Sequence, residues 1–203
     1  MSDNEFRSGF VCLVGRPNAG KSTLTNRIIG RKIAITSDRP QTTRRTVRGV
    51  LTRSDAQLIV VDTPGLHKPR TLLGERLNDL VRATWTEVDV IGFCLAANEE
   101  TGPGDRKLAA ELASIQRGPI IAVITKTDTA SPDEVAARLA SISELAAEVG
   151  LKVSEYVPVS AVTGDNVDVL VDLMIAQMPE GPQLFPEAQD TDEPEEAMCA
   201  ELI

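Results

Sequence analysis

Cysteine is scarce in this 203-residue chain, and the three present, Cys12, Cys94 and Cys199, show no spacing that suggests a metal site. Cys12 and Cys94 lie inside apolar, strand-like runs and are expected as buried, reduced thiols, whereas Cys199 falls in a polar tail. No apolar run approaches the ~18 residues that a membrane-spanning helix needs. The opening residues Met1 to Phe10 carry Asp3, Glu5 and Arg7 and do not form a secretory signal, so a cytoplasmic protein is expected. Histidine and tryptophan occur once each. His67 reads as an exposed loop residue rather than a catalytic base, and Trp85 as packing for its own helix. No internal repeat is visible. What remains, 42% hydrophobic and 25% charged residues, is globular composition, and the length suits one domain plus an appendage.

Charge is unevenly placed. Of the net charge of -9, the segment from Pro179 onward contributes -8, with eight acidic residues and no Lys or Arg, so residues 1–178 are almost neutral. Within them Arg31, Lys32, Arg39, Arg44, Arg45, Arg48 and Arg53 cluster along the chain. Two readings stand, a patch for an anionic partner and a solvated basic loop.

The stretch Gly15-Arg16-Pro17-Asn18-Ala19-Gly20-Lys21-Ser22 fits the phosphate-binding P-loop pattern. The buried-strand run Phe10–Val14 precedes it, and Thr23 to Ile29 follows with helical apolar spacing, which is the context the motif requires. There, backbone N–H groups and the helix N-terminus wrap a triphosphate, Lys21 reaches its outer phosphates, and Ser22 ligates magnesium. A glycine turn matching the pattern by chance is disfavoured by both flanks.

Ile33 to Arg48 is a polar stretch with Pro40 and no helical or strand period until Thr46, and Val47–Thr52 and Gln57–Val61 read as a hairpin joined at Arg53-Ser54-Asp55. Asp62-Thr63-Pro64-Gly65 closes the second strand with an acidic residue and a flexible glycine, the other half of a magnesium and phosphate site. Thr71 to Trp85 is amphipathic, Val88–Ala96 and Pro119–Thr125 are buried strands, and Thr101 to Asp105 opens a helix reaching about Arg117. Ser131 to Val149 is a further capped helix, Tyr156–Val159 a last strand, and Asn166–Met178 a last helix. Strands alternating with helices predict a mainly parallel sheet covered on both faces. Gly181 to Pro194, with three prolines among acidic residues, reads as a linker. The uncapped, helix-forming Glu195–Ile203 gives an end expected to be cut rather than finished.

Two stretches select the base. Thr125-Lys126-Thr127-Asp128 closes one strand and Ser160-Ala161 follows another. Asp128 can accept from the ring and exocyclic N–H groups of guanine, the Lys126 stem can lie along the ring, and the Ala161 N–H can reach its carbonyl. Adenine leaves that carboxylate unpaired, a discrimination of roughly 10⁴.

With Gln41-Thr42-Thr43-Arg44, these stretches resemble the five GTPase motifs in order. The wordings Gly-Arg-Pro-Asn, Pro-Gln-Thr-Thr-Arg and Asp-Thr-Pro-Gly-Leu-His are similar to those of the Era-type bacterial GTPases, within the TrmE-Era-EngA-like P-loop GTPases. The resemblance covers Phe10 to about Ile203. It implies a G domain over residues 1–179, three layers α/β/α around a six-stranded, mostly parallel sheet with one antiparallel strand. Residues 180–203 become a linker and the start of a truncated KH region.

The resemblance also implies roles. The nucleotide contacts are Gly15 to Thr23, with Asp62, Thr63, Pro64, Gly65, Thr125, Lys126, Asp128, Ser160, Ala161 and Val162. Magnesium falls to Ser22, to Thr43 or its neighbour Thr42, with Thr43 favoured, and through water to Asp62. Lys21, Thr43 and the Gly65 N–H are the catalytic set, Gln41 to Arg45 form the first switch, and loss of the γ-phosphate frees residues 33–47 and 65–85. Leu66 stands where many signalling GTPases orient water with glutamine, so intrinsic turnover should be slow. Asn18 has two readings, a ligand to a potassium ion near the phosphates and a turn residue. Thr125 replaces the usual asparagine that ties the base loop to the P-loop, which should weaken nucleotide affinity.

By the same resemblance the activity is GTP hydrolysis, in assembly of the small ribosomal subunit and maturation of 16S rRNA. The chain should be a monomer, cytoplasmic, with a peripheral hold on the inner face of the membrane. Family members read RNA with a KH domain, and no Gly-x-x-Gly loop follows the linker here. A second class is a nucleotide-gated ribosome-binding scaffold with negligible hydrolysis. A third, a P-loop ATPase, is disfavoured by Lys126 with Asp128.

Overall fold

The apolar run ahead of the glycine loop forms strand β1 (Arg7–Val14), and helix α1 (Lys21–Ile29) follows the loop directly. The structure is a computed structural model describing residues 6–30, 47–61 and 83–186, with only the backbone of Val47 and Arg48. Strands β2 (Val47–Thr52) and β3 (Ala56–Val61) make the expected hairpin, and β4 (Val90–Ala96), β5 (Ile120–Thr125) and β6 (Val153–Pro158) complete the strands. Helices α2 (Pro103–Ile115), α3 (Pro132–Val149) and α4 (Val167–Ala176) alternate with them. Residues 83–87 are helical; the remainder of the expected 71–85 helix lies outside the described residues.

The six strands hydrogen-bond in the order β2-β3-β1-β4-β5-β6. All neighbours are parallel except β2 with β3, where Val50 faces Ile59 and the register shifts between Val47 and Gly49. The interior strands are apolar because helices cover both faces: every residue of β3, β4 and β5 is buried. On one face Leu108 and Leu112 of α2 and Ile142 and Leu145 of α3 pack with Phe93, Leu95, Ile120 and Ile124, and Trp85 joins them. On the other, Leu24 and Ile28 of α1 and Leu170 and Met174 of α4 meet Val11, Leu13, Ile121 and Val123. Each such side chain contributes roughly 1.5–3 kcal/mol by leaving water.

Helix ends carry their own signals. Ser131 and Glu134 cap α3 reciprocally, the Ser131 N–H donating to Glu134 Oε2 at 2.6 Å and the Glu134 N–H to Ser131 Oγ at 3.3 Å. Gly150 stops that helix in the left-handed region, at φ 73. All parallel strands deliver their C-terminal ends to one edge, where the P-loop also lies, and ligands of open α/β sheets bind outside that edge.

At the opposite edge the chain returns. The linker expected from Gly181 begins as part of the domain: the Gly181 N–H donates to Phe6 O at 2.9 Å, and Ser8 Oγ to Pro182 O at 2.7 Å. Gln57, fully buried in β3, reads the backbone beyond them. Its amide nitrogen donates to Thr52 Oγ1 (3.1 Å) and Phe185 O (2.9 Å), and its oxygen accepts from the N–H groups of Leu184 (2.9 Å) and Phe185 (2.8 Å). Gln57→Leu would strand these backbone groups at a cost of about 2–3 kcal/mol. We expect a lower melting temperature and new proteolysis within 181–186; an unaltered melt and digest would show that the strap contributes nothing.

Candidate nucleotide site

The P-loop owes its shape to residues tolerating unusual backbone. Asn18 (φ 64) and Gly20 (φ 79) both occupy the left-handed region. Gly15 lies so close to β4 that a Cβ would stand 2.5 Å from the Cys94 carbonyl oxygen. The Ala19 N–H donates back to Arg16 O at 3.2 Å, and the Leu24 N–H to Gly20 O at 2.9 Å starts α1. The Lys21 ammonium donates to the carbonyls of Gly15 (2.8 Å) and Arg16 (2.7 Å), holding its charge over the loop. No acidic residue sits in the first turn of α1, so its positive end is unopposed there and suits an anion. Ser22 and Thr23 are exposed on that turn.

A cleft of about 460 Å³ is lined by Asn18, Gly20, Lys21, Ser22, Thr23 and Lys126. The phosphate loop and the base loop thus share one concavity. A larger cleft, about 760 Å³, opens beside α2 and α3, but Glu99, Glu100, Glu134, Glu144 and Glu148 on its walls outnumber Arg106 and Arg138, a poor environment for a triphosphate.

The base loop is built by short-range bonds. Lys126 adopts the left-handed region (φ 59, ψ 35) and a 3-10 turn, Thr127–Thr129, follows. Ser160, fully buried, donates its hydroxyl to Asp128 Oδ1 at 2.6 Å and accepts from the Thr163 N–H at 3.1 Å. Asp128 is exposed at the mouth of this loop, its carboxylate oriented by the Ser160 hydroxyl.

Thr125 corrects one expectation. Its buried hydroxyl donates to Ala19 O at 2.7 Å, so the tie between base loop and P-loop persists without asparagine. Thr125→Val would leave the Ala19 carbonyl without this donor at about 1–2 kcal/mol, and nucleotide should bind roughly ten-fold more weakly by titration calorimetry. Equal affinity would show that the tie is dispensable.

Arg16 belongs to the phosphate loop through its backbone. Its guanidinium turns from the phosphate cleft to Asp105 and Glu99, and only its carbonyl serves Lys21. Of the other expected contacts among the described residues, Gly15, Arg16, Pro17, Ala19, Thr125, Asp128, Ser160, Ala161 and Val162 do not line the cleft, and Val162 is 70% exposed. Gln41, Thr42, Thr43, Arg44, Arg45, Asp62, Thr63, Pro64, Gly65, Leu66 and His67 lie outside the described residues. β3 brings the chain to Val61, opposite Cys12, on the edge that carries the P-loop. Cys94 and Cys12 are buried thiols; burial pushes Cys94 up to about 12 against an opposing pull from Lys21, and Cys12 further, which favours the protonated form of both.

The sequence marks neither Glu99 nor Arg138, and Thr101 and Asp105 only as parts of a helix start, where Asp105 acts as a cap. Its Oδ2 accepts from the Gly102 N–H at 3.0 Å.

Comparison with known proteins agrees with this geometry. A family model described as 50S ribosome-binding GTPase matches residues 10–126. The GTPase Era of Streptomyces coelicolor is 63% identical over 197 residues, 97% of this chain and 62% of its own length. That of a Nocardioides species is 60% identical, over 97% of this chain and 63% of its own. The chain therefore spans less than two thirds of these relatives. Among solved structures, Era in complex with MgGDPNP and nucleotides 1506–1542 of 16S ribosomal RNA superposes with a TM-score of 0.74 at 37% identity, over 93% of this chain and 63% of that one. An Aquifex aeolicus Era variant bound to GDP and AlF4− gives 0.73 at 36% identity, over 97% of this chain and 65% of that one. The family model's match over more than half the chain, from β1 through the phosphate loop to the end of β5, places the chain in the 50S ribosome-binding GTPase family, with its similarity directed at Era.

Proposed function

We propose that the chain is the nucleotide-binding part of an Era-type switch that binds and hydrolyses GTP during small-subunit assembly. The observation that carries this reading is the junction of the two loops, Thr125 bonded to Ala19 with Asp128 oriented by Ser160, around a cleft that Lys21 and Lys126 share. The P-loop N–H groups and Lys21 hold the phosphates, and Asp128 selects guanine. The oxygen chemistry of Ser22, exposed beside Lys21, suits magnesium, which would neutralise phosphate charge. Thr43, Asp62 and Gly65 complete that set, and release of the γ-phosphate frees Thr43 and Gly65. Asn18, exposed and left-handed, serves as the turn residue in either case. Its further role as a potassium ligand predicts faster hydrolysis in potassium than in sodium buffer, and equal rates would remove it.

Recognition of 16S rRNA is proposed by similarity to the Era complex. Single-turnover phosphate release from GTP, with and without small ribosomal subunits, tests the function. We expect slow release that the subunits accelerate, and competition of bound GTP by GDP but not ATP. Leu66, whose side chain cannot hydrogen-bond water, favours a second reading, a scaffold gated by nucleotide. That reading predicts subunit binding with no acceleration.

A further inference from the structure

The Arg16 guanidinium sits in a polar bracket that none of the nucleotide motifs contains. Its Nε donates to Asp105 Oδ1 at 2.8 Å and its Nη2 to Glu99 Oε2 at 2.6 Å. Glycine makes the seat: a Cβ on Gly104 would come within 2.8 Å of Arg16 Cδ. Asp105 is 1% exposed and held by the Gly102 N–H on its Oδ2 (3.0 Å); behind it lies Arg138, itself buried, whose Nε donates to Ala96 O (3.1 Å) and Nη1 to Thr101 Oγ1 (2.6 Å). The Arg138 Nη2 stands 3.8 Å from Asp105 Oδ2.

Glu99 faces two ways. While Oε2 holds Arg16 of the phosphate loop, Oε1 stands 4.0 Å from the Lys126 ammonium of the base loop. The turn that carries it is anchored at the same place, because the Ala97 N–H donates to Thr125 O at 2.8 Å and the Glu99 N–H to Ala96 O at 3.4 Å. One carboxylate on a fixed turn therefore joins a cation from each half of the cleft.

We infer that Glu99 is a positioning residue for guanine nucleotide, setting the spacing of the phosphate and base loops and holding the Lys126 stem where the ring must lie. The inference rests on the guanine-nucleotide reading above. Lys126 is free to wander when its ammonium has only water as a partner, and each nucleotide bound must then order it again. The contact at 4.0 Å is weak alone. Its worth comes from the short charge-assisted bond on the other oxygen, which fixes the carboxylate.

The test is release of N-methylanthraniloyl-GDP, labelled on the ribose, from the full chain with magnesium present. Glu99→Gln should release it roughly three- to ten-fold faster, the range for a charge-assisted pair at a partly exposed site. In a Lys126→Met background the same change should have less than half that factor. The nucleotide-free melting temperature should stay within about 3 °C, since Glu99 is partly exposed and caps nothing. Release at the native rate, an undiminished factor in the Lys126→Met background, or a larger fall in the nucleotide-free melt would overturn the inference. Failure of the unsubstituted chain to bind the probe would instead overturn the nucleotide reading and this inference with it, so the two failures are distinct.

Discussion

Asp128→Asn is expected to weaken GDP binding by roughly 10²–10³-fold and to strengthen xanthosine diphosphate binding by a comparable factor. The carboxylate offers only acceptors, and guanine presents two N–H donors on the edge it would face. An asparagine replaces one acceptor with a donor, opposing guanine and matching the carbonyl at position 2 of xanthine. The support from Ser160 survives the change, because the side-chain amide keeps a carbonyl oxygen for the hydroxyl that now donates to Asp128 Oδ1 at 2.6 Å. The turn survives as well, with the Thr129 N–H and Oγ1 bonded to Lys126 O at 3.0 and 2.8 Å. The nucleotide-free melting temperature should therefore be unchanged while specificity inverts. Competition of both diphosphates against one labelled nucleotide reads the inversion, and retained guanine preference would mean that Asp128 does not meet the base.

The sheet is legible in the sequence because interior parallel strands must be apolar throughout. Val90–Ala96 and Ile120–Thr125 are such runs, and the apolar pattern marks their ends to within two residues. At the edge, β6 starts at Val153, three residues before the expected Tyr156, because Ser154 and Glu155 face water and break the apolar signal. Motif spacing locates Lys21, Lys126 and Asp128, whose work depends on short loops between fixed strand ends. It is silent on the Arg16 guanidinium, whose direction is set by partners 83 and 89 residues away. Thr125 misleads for the same reason. Substitution of a family asparagine looks like a loss until the packing of Ala19 against β5 places its carbonyl within reach of a hydroxyl on a shorter side chain. Gln57 reads as an ordinary strand residue, since the backbone it binds lies more than 120 residues later.

Gly15→Ala and Lys21→Met should each reduce guanine-nucleotide affinity by more than roughly 100-fold, for different reasons that a melting curve separates. The methyl added at Gly15 would fall 2.5 Å from the Cys94 carbonyl oxygen and 3.3 Å from the Ala19 Cβ. The first obstacle is backbone in the middle of the sheet, with Cys94 fully buried, so the loop must yield. Displacing it moves the Gly15 carbonyl that Lys21 uses and disturbs Ala19, which takes the Thr125 hydroxyl. We expect a loss of about 1–3 kcal/mol in the nucleotide-free protein as well as of affinity. Lys21→Met removes the charge and the bonds to the Gly15 and Arg16 carbonyls but leaves both carbonyls on a half-exposed loop that water can reach, so its nucleotide-free stability should be close to native. Thermal melts of both variants, with and without GDP, decide the matter. Equal melts for the two nucleotide-free variants would show that the close approach at Gly15 is not what shapes the loop.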